Sequence, residues 1–170
     1  MGRRGGKCCA QTTVDKMSEN SSTESICYNA LFRHGVDDKR RVQIPAKWLP
    51  SDGSVEFTLI VWSKDKEGPC LRVLPPKKMS ELLASLAAMP NSDPNKTILK
   101  RLIGSKSSQV IVDKSGRICL PEEMAKAVGV KSEAMLVGLL DQFEIWNPES
   151  YMKVQMSDEV LAQEAFKLME

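Results

Sequence analysis

A single histidine, His34, serves the whole chain of 170 residues, and no serine or cysteine stands at a recognisable spacing from it for a nucleophile and its base. That scarcity argues against most acid–base and nucleophilic enzymes, because histidine is the usual proton carrier near neutral pH. No H-E-x-x-H occurs, and Gly104-Ser105-Lys106-Ser107 lacks both the upstream glycine and the G-K pair of a phosphate loop. The neighbouring carboxylates Asp37-Asp38 and Glu122-Glu123 have no visible partners with which to hold a metal. The chain is therefore expected to be no enzyme and to use no metal, no cofactor and no small-molecule substrate. Cys8, Cys9, Cys27, Cys70 and Cys119 are odd in number and irregularly spaced, so neither a disulfide framework nor a C-x-x-C knuckle is supported. Together with the lack of a secretory apolar segment, this points to a reducing cytoplasm. Cys70 and Cys119 lie in apolar runs and are expected as small core residues. The longest apolar runs, Leu82–Met89 and Ala134–Leu140, fall far short of the roughly 20 residues a membrane span requires, so no membrane protein is expected.

What is present is the composition of a folded protein, 42% hydrophobic and 27% charged. The length allows one ordinary domain or two small halves sharing a core. A net charge of +2 carries no argument for a polyanionic partner, but its distribution does. Arg33, Lys39, Arg40, Arg41 and Lys47 stand against Asp37 and Asp38 in one stretch. Lys96, Lys100, Arg101, Lys106, Lys114 and Arg117 stand against Asp113 alone in another, while the segment from Met156 is acidic. Residues 1–27 are polar and without apolar periodicity, and read as a disordered arm with a basic start at Arg3-Arg4.

The decisive pattern is an internal repeat. Val36-Asp37-Asp38-Lys39-Arg40-Arg41-Val42-Gln43-Ile44-Pro45 aligns with Val112-Asp113-Lys114-Ser115-Gly116-Arg117-Ile118-Cys119-Leu120-Pro121, with Asp, Arg and Pro recurring in register. Farther on, Leu71-Arg72-Val73-Leu74-Pro75-Pro76 pairs with Phe143-Glu144-Ile145-Trp146-Asn147-Pro148. Each copy reads as a strand entering a polar turn, a strand leaving it, and a proline-initiated helical turn over 45–49 or 121–128. Two further strands follow, over 57–62 and 71–74 in the first copy and 134–139 and 143–146 in the second, and Pro76 and Pro148 then open short helices. Met79, Leu82, Leu83, Leu86 and Met89 keep helical spacing between the copies, and a second helix is expected from Pro94 to about Ile103. Ser157 with Asp158 is expected to cap a final amphipathic helix. The resulting division is an arm at 1–27, a first repeat at 28–79, a helical connector at 80–103, a second repeat at 104–155 and a helical tail at 156–170. One copy alone would leave strand edges open over too little core, so the pair is the physical unit.

These residues resemble a known family. Phe32-Arg33-His34-Gly35-Val36-Asp37 through Ile44-Pro45-Ala46-Lys47, then Asp113-Lys114-Ser115-Gly116-Arg117, Met135-Leu136-Val137-Gly138 and Phe143-Glu144-Ile145-Trp146 look like the two halves of MraZ proteins. The match runs from about Tyr28 to Tyr151. The resemblance implies an α+β, mainly β fold of two tandem AbrB-like swapped-hairpin halves, similar to AbrB and SpoVT regulators, forming one pseudo-symmetric β-barrel with a helical connector and a C-terminal helix. It further implies a ring-forming homo-oligomer, cytoplasmic and nucleoid-associated, that binds repeated promoter sites on double-stranded DNA and represses division and cell-wall genes. One departure stands out: Arg40 occupies the place of the family's usual turn glycine, so either the first turn differs or Arg40 adds a phosphate contact.

Arg41 and Arg117 would occupy equivalent places on a pseudo-symmetric surface, where a guanidinium suits bidentate contact with phosphate or guanine. Lys39, Arg40, Lys114 and Arg33 would neutralise backbone phosphates. Asp37 and Asp113 are expected to bind turn amides or orient the neighbouring arginine, with Gly116 supporting the turn. Trp48, Trp62 and Trp146 read as core or interface residues. The competing reading is an antitoxin-like protein of the same fold whose C-terminal segment binds a partner protein.

Overall fold

The computed structural model describes residues 25–63, 66 and 68–169, so the expected arm lies almost wholly outside the described residues. The chain opens with β1 (Leu31–Gly35) and β2 (Arg41–Gln43), then a single 3-10 turn at Ala46–Trp48. The antiparallel pair β3 (Glu56–Trp62) and β4 (Cys70–Leu74) leads into α1 (Pro76–Ala88) and α2 (Pro94–Ser105). The same succession then recurs as β5 (Ser107–Ile111), β6 (Arg117–Cys119), α3 (Glu122–Val128), β7 (Glu133–Gly138) and β8 (Phe143–Trp146), and α4 (Pro148–Phe166) follows. The proline starts are as expected: Pro76, Pro94 and Pro148 stand in the first turns of α1, α2 and α4, where a missing N–H costs nothing.

Six strands form one sheet in the order β1-β7-β8-β4-β3-β5, and β2 and β6 form a separate two-stranded ladder. All recorded pairings are antiparallel. The first strand of each half pairs with the third strand of the other: β1 with β7 and β5 with β3. Exchanging β1 with β5, β2 with β6, β3 with β7 and β4 with β8 returns the same strand order read from the other end. The register obeys the exchange too. Arg41 faces Cys119 where Gln43 faces Arg117, and Leu71 faces Ile145 where Val73 faces Phe143. Val42 opposite Ile118 and Arg72 opposite Glu144 therefore lie on the axis of this exchange. The fold is mixed α+β, its sheet has β1 and β5 at its edges, and among the described residues no hydrogen-bonded ladder joins those edges into the expected closed barrel.

The core draws on both halves. Val42, Ile44, Trp48, Phe57, Leu71, Ile118, Leu120, Leu136, Phe143 and Ile145 are fully buried in one cluster. Tyr28 stacks on Phe143, which also lies edge-on to Phe57, and Trp48 packs against both Tyr28 and Phe143. Burial pushes the Tyr28 hydroxyl up to about 12. Trp48 and Trp146 are interior, while Trp62 is half-buried beneath the Arg72 guanidinium, 4.0 Å from its ring centroid.

Two expectations are corrected. Cys119 is exposed, because β6 alternates faces: Ile118 takes the core side and its neighbours point away. The C-terminal helix is not capped at Ser157. It runs unbroken from Pro148, and the cap is Asn147, whose side-chain oxygen accepts from the backbone N–H groups of Glu149 and Ser150.

Candidate nucleic-acid interface

Each half carries an equivalent turn built on an aspartate. Asp37 Oδ1 accepts from the backbone N–H of Lys39 and of Arg41, both at 2.9 Å, and Asp37 Oδ2 accepts from Arg41 Nε at 2.7 Å. Asp113 repeats the set: Oδ1 accepts from Ser115 N at 2.8 Å and Arg117 N at 3.0 Å, and Oδ2 from Arg117 Nε at 3.0 Å. The backbone closes the same way, Arg40 N to Asp37 O at 2.8 Å and Gly116 N to Asp113 O at 2.9 Å. An aspartate suits this place because its short side chain reaches amides two and four residues ahead without disturbing the strands on either side. Both carboxyls are held below their ordinary value, first by the backbone N–H of the following arginine and then by its side chain, with partial loss of hydration acting the other way.

The turn requires a left-handed residue one place before the arginine. Gly116 takes it with φ +77°, and Arg40 takes it with φ +57°. The first turn therefore does not differ; the arginine accepts a conformation that favours glycine. The residue across from each turn decides what fits there. Gln43 Nε2 donates to Ser115 O and Gly116 O, both at 3.0 Å, and a Cβ on Gly116 would come within 2.9 Å of that nitrogen. At the equivalent place beside Arg40 stands the smaller Cys119, whose thiol donates to Lys39 O at 3.2 Å. The Arg40 side chain turns inward, its Nε donating to Leu120 O at 3.1 Å, and its charge helps Lys126 hold the Glu122 carboxyl low. Arg40 thus spends a donor on the opposite half.

Arg41 and Arg117 line one shallow cleft of about 310 Å³ together with Gly35, Val36, Asp37 and Gln43. Their side chains remain 32% and 31% exposed while ion-paired to their own aspartates. Lys39 and Lys114 are exposed on the same turns, and among the described residues neither ammonium has an ion-pair partner. Arg33 is not brought to the cleft. It lies on β1 and pairs with Glu133 across the strands, Nη2 to Oε2 at 2.6 Å. His34, also on β1, stacks on Phe32 at 6.0 Å, and its buried Nε2 has no hydrogen-bond partner among the described residues. Sequence reasoning missed Gln43, whose role was marked only by the unlike pairs Gln43/Gly116 and Cys119/Arg40 at equivalent positions of the repeat.

A family model described as "MraZ protein, putative antitoxin-like" matches residues 105–167. Transcriptional regulator MraZ of Ruegeria sp. (strain TM1040) is 31% identical over 136 residues, which cover 74% of this chain and 80% of that protein. The chain belongs to the MraZ family. Transcriptional regulator MraZ of Thermomicrobium roseum is likewise 31% identical, over 71% of this chain and 81% of its own length. That of Shewanella sediminis is 29% identical over 77% and 87%. The family match covers the second aspartate turn. Among the described residues no helix is long and apolar enough to cross a membrane.

Proposed function

We propose that this member of the MraZ family is a sequence-specific, DNA-binding transcriptional regulator that reads double-stranded promoter DNA through its two aspartate turns. The observation that carries the reading is the shared cleft: two turns with the same hydrogen bonds bring Arg41 and Arg117 to one surface, partly exposed and already oriented. An arginine held by an aspartate loses less side-chain freedom on binding, and its fork matches guanine O6/N7 or a phosphate. Lys39 and Lys114 add contacts to backbone phosphates, which position the protein without selecting sequence. Arg40, bound inward to Leu120 O, supports the first turn more than it contacts DNA. Arg33, paired with Glu133, contributes at most at the margin. The relatives' name, transcriptional regulator, supports the same reading.

The two halves, 28–79 and 104–155, are read as tandem AbrB-like units with exchanged hairpins, a relation supported by the symmetric strand order and register. The chain is proposed to repress a division and cell-wall gene cluster at the nucleoid as a ring of like protomers. One cleft offers few contacts, and a ring on repeated sites multiplies them through effective concentration. The exposed apolar faces of α2, with Ile98, Leu99 and Leu102, and of α4, with Met152, Met156, Val160 and Leu161, are surfaces such a ring would cover. The same face of α4 would serve an antitoxin-like role by binding a partner protein.

The test is a mobility shift on DNA upstream of the chain's own gene across a salt series. Arg117→Ala should weaken specific binding by about 10- to 100-fold at fixed salt, as expected of a lost base contact, with oligomer mass unchanged. Unchanged affinity refutes the assignment.

A further inference from the structure

A fold that exchanges strands between two similar halves faces a choice of partner. The backbone ladders of the halves are interchangeable, so hydrogen bonding alone would let the first half of one chain pair with the first half of another copy. On the exchange axis Val42 and Ile118 are both apolar, but the other two side chains are not interchangeable. Arg72 faces Glu144 there, its Nε 3.2 Å from Glu144 Oε1, and Glu144 is 7% exposed. The second carboxylate oxygen accepts from Trp146 Nε1 at 2.8 Å, and the arginine rests on Trp62. Because the two positions map onto each other, pairing of like halves would set Arg72 against Arg72 and Glu144 against Glu144. Either places like charges together with little water to screen them.

The turn-facing residues make the same choice independently. Pairing of two first halves would lay Gln43 over Arg40, whose Cβ would take the space that Gln43 Nε2 fills above Gly116, and the amide would lose its bonds to the turn carbonyls. Pairing of two second halves would set the small Cys119 over Gly116 and leave a gap where Gln43 sits. We propose that Arg72–Glu144, seconded by Gln43–Gly116 and Cys119–Arg40, selects pairing of unlike halves and rejects pairing of like halves between copies of this chain. The inference rests on the two-half reading of the chain and is independent of the DNA reading.

Charge-reversed chains test it. Arg72→Glu carries two glutamates on the axis and Glu144→Arg two arginines, so neither chain can satisfy its own pair. Between the two chains both axes become complementary: the first half of Glu144→Arg meets the second half of Arg72→Glu as the natural pair, and the remaining halves meet as the reversed one. Refolded alone, each variant should melt on the order of 10 °C below the natural chain, the effect expected of an uncompensated, largely buried charge. Refolded together from denaturant in equal amounts, they should recover most of that loss, and the double variant R72E/E144R should recover it within one chain. Mixing the already folded variants should recover nothing. If a single variant gives no cooperative transition, the appearance of one on co-refolding supports the inference and its absence overturns it. A co-refolded mixture that melts as the two variants do separately overturns it, as do single variants that melt with the natural chain. So does recovery in the double variant without recovery in the mixture, since the pair would then stabilise a chain without choosing its partner. Failure here leaves the DNA reading standing, because Arg117→Ala keeps Arg72 and Glu144.

Discussion

Placing arginine at 116, as the chain already does at 40, should cost more than its backbone conformation alone. A non-glycine residue in the left-handed region costs about 1–2 kcal/mol, partly offset by the smaller entropy of the unfolded chain, which leaves about 1 kcal/mol. The larger share comes from Gln43. A Cβ at 116 would sit 2.9 Å from Gln43 Nε2 and 3.3 Å from Leu49 Cδ1, so the amide must leave its place and give up Ser115 O and Gly116 O. Those bonds are exposed and contribute about 0.5–1 kcal/mol each, so Gly116→Arg should cost about 2.5 kcal/mol. Gln43→Cys alone, which forfeits the same bonds, should cost about 1.5 kcal/mol. The double variant loses the amide only once and should also cost about 2.5 kcal/mol rather than the additive 4, a coupling of about 1.5 kcal/mol. Urea unfolding of the four chains measures all the terms. Additivity within about 0.5 kcal/mol would refute the claim that the Gln43 amide fills the space a side chain at 116 needs. The mirror experiment reads the other turn: Cys119→Gln should destabilise the chain while Arg40 is present, and Arg40→Gly should relieve it.

Two further outcomes follow from the same contacts. Asp37 and Asp113 titrate below the ordinary value of 3.8 in the folded chain, so the folded state takes up their protons less readily than the unfolded one. The stability they contribute is complete above that value and is lost as pH falls through the lowered folded range. The melting temperature of the natural chain should therefore fall more steeply below about pH 4 than that of D37N/D113N, and equal slopes would show that the carboxylates do not act through their charge. Asn147→Ala removes the cap of α4 and leaves Gly129 O, 2.6 Å from Asn147 Nδ2, without its donor. It should cost about 2 kcal/mol, read as a melting temperature lower by roughly 5 °C.

The parts legible in the sequence are those decided locally. An aspartate that binds amides two and four residues ahead leaves its mark within five positions, so both turns could be found from Asp37 and Asp113 and matched across the repeat. Strand periodicity placed β3, β4, β7 and β8 close to their observed bounds for the same reason. The misreadings arise where a local signal competes with a wider one. Ser157 followed by Asp158 has the form of a cap, but a serine inside a helix costs only a few tenths of a kcal/mol, and the helix begun at Asn147 runs through it. Cys119 belongs to an apolar run, yet a strand splits such a run between two faces, and Ile118 and Leu120 take the buried one. The ion pair of Arg33 could not be read locally either, because its partner Glu133 lies 100 residues away.

The spacing of the two arginines is set by the core rather than by the turns. β2 and β6 are three residues each, too short to persist as an isolated ladder. They are held because Val42 and Ile118 face each other fully buried, and because Ile44 N donates to Gly116 O at 2.9 Å and Leu120 N to Arg40 O at 2.8 Å. Each turn is thus bonded to the strand of the other half. A slip of one residue would turn both buried side chains to solvent, so the register cannot drift while the core is intact. The distance between the Arg41 and Arg117 guanidinium groups therefore inherits the rigidity of a packed interior. A substitution such as Ile118→Ala, which touches neither arginine, should loosen that distance and weaken specific binding more than binding to arbitrary sequence, since phosphate contacts tolerate displacement and base contacts do not.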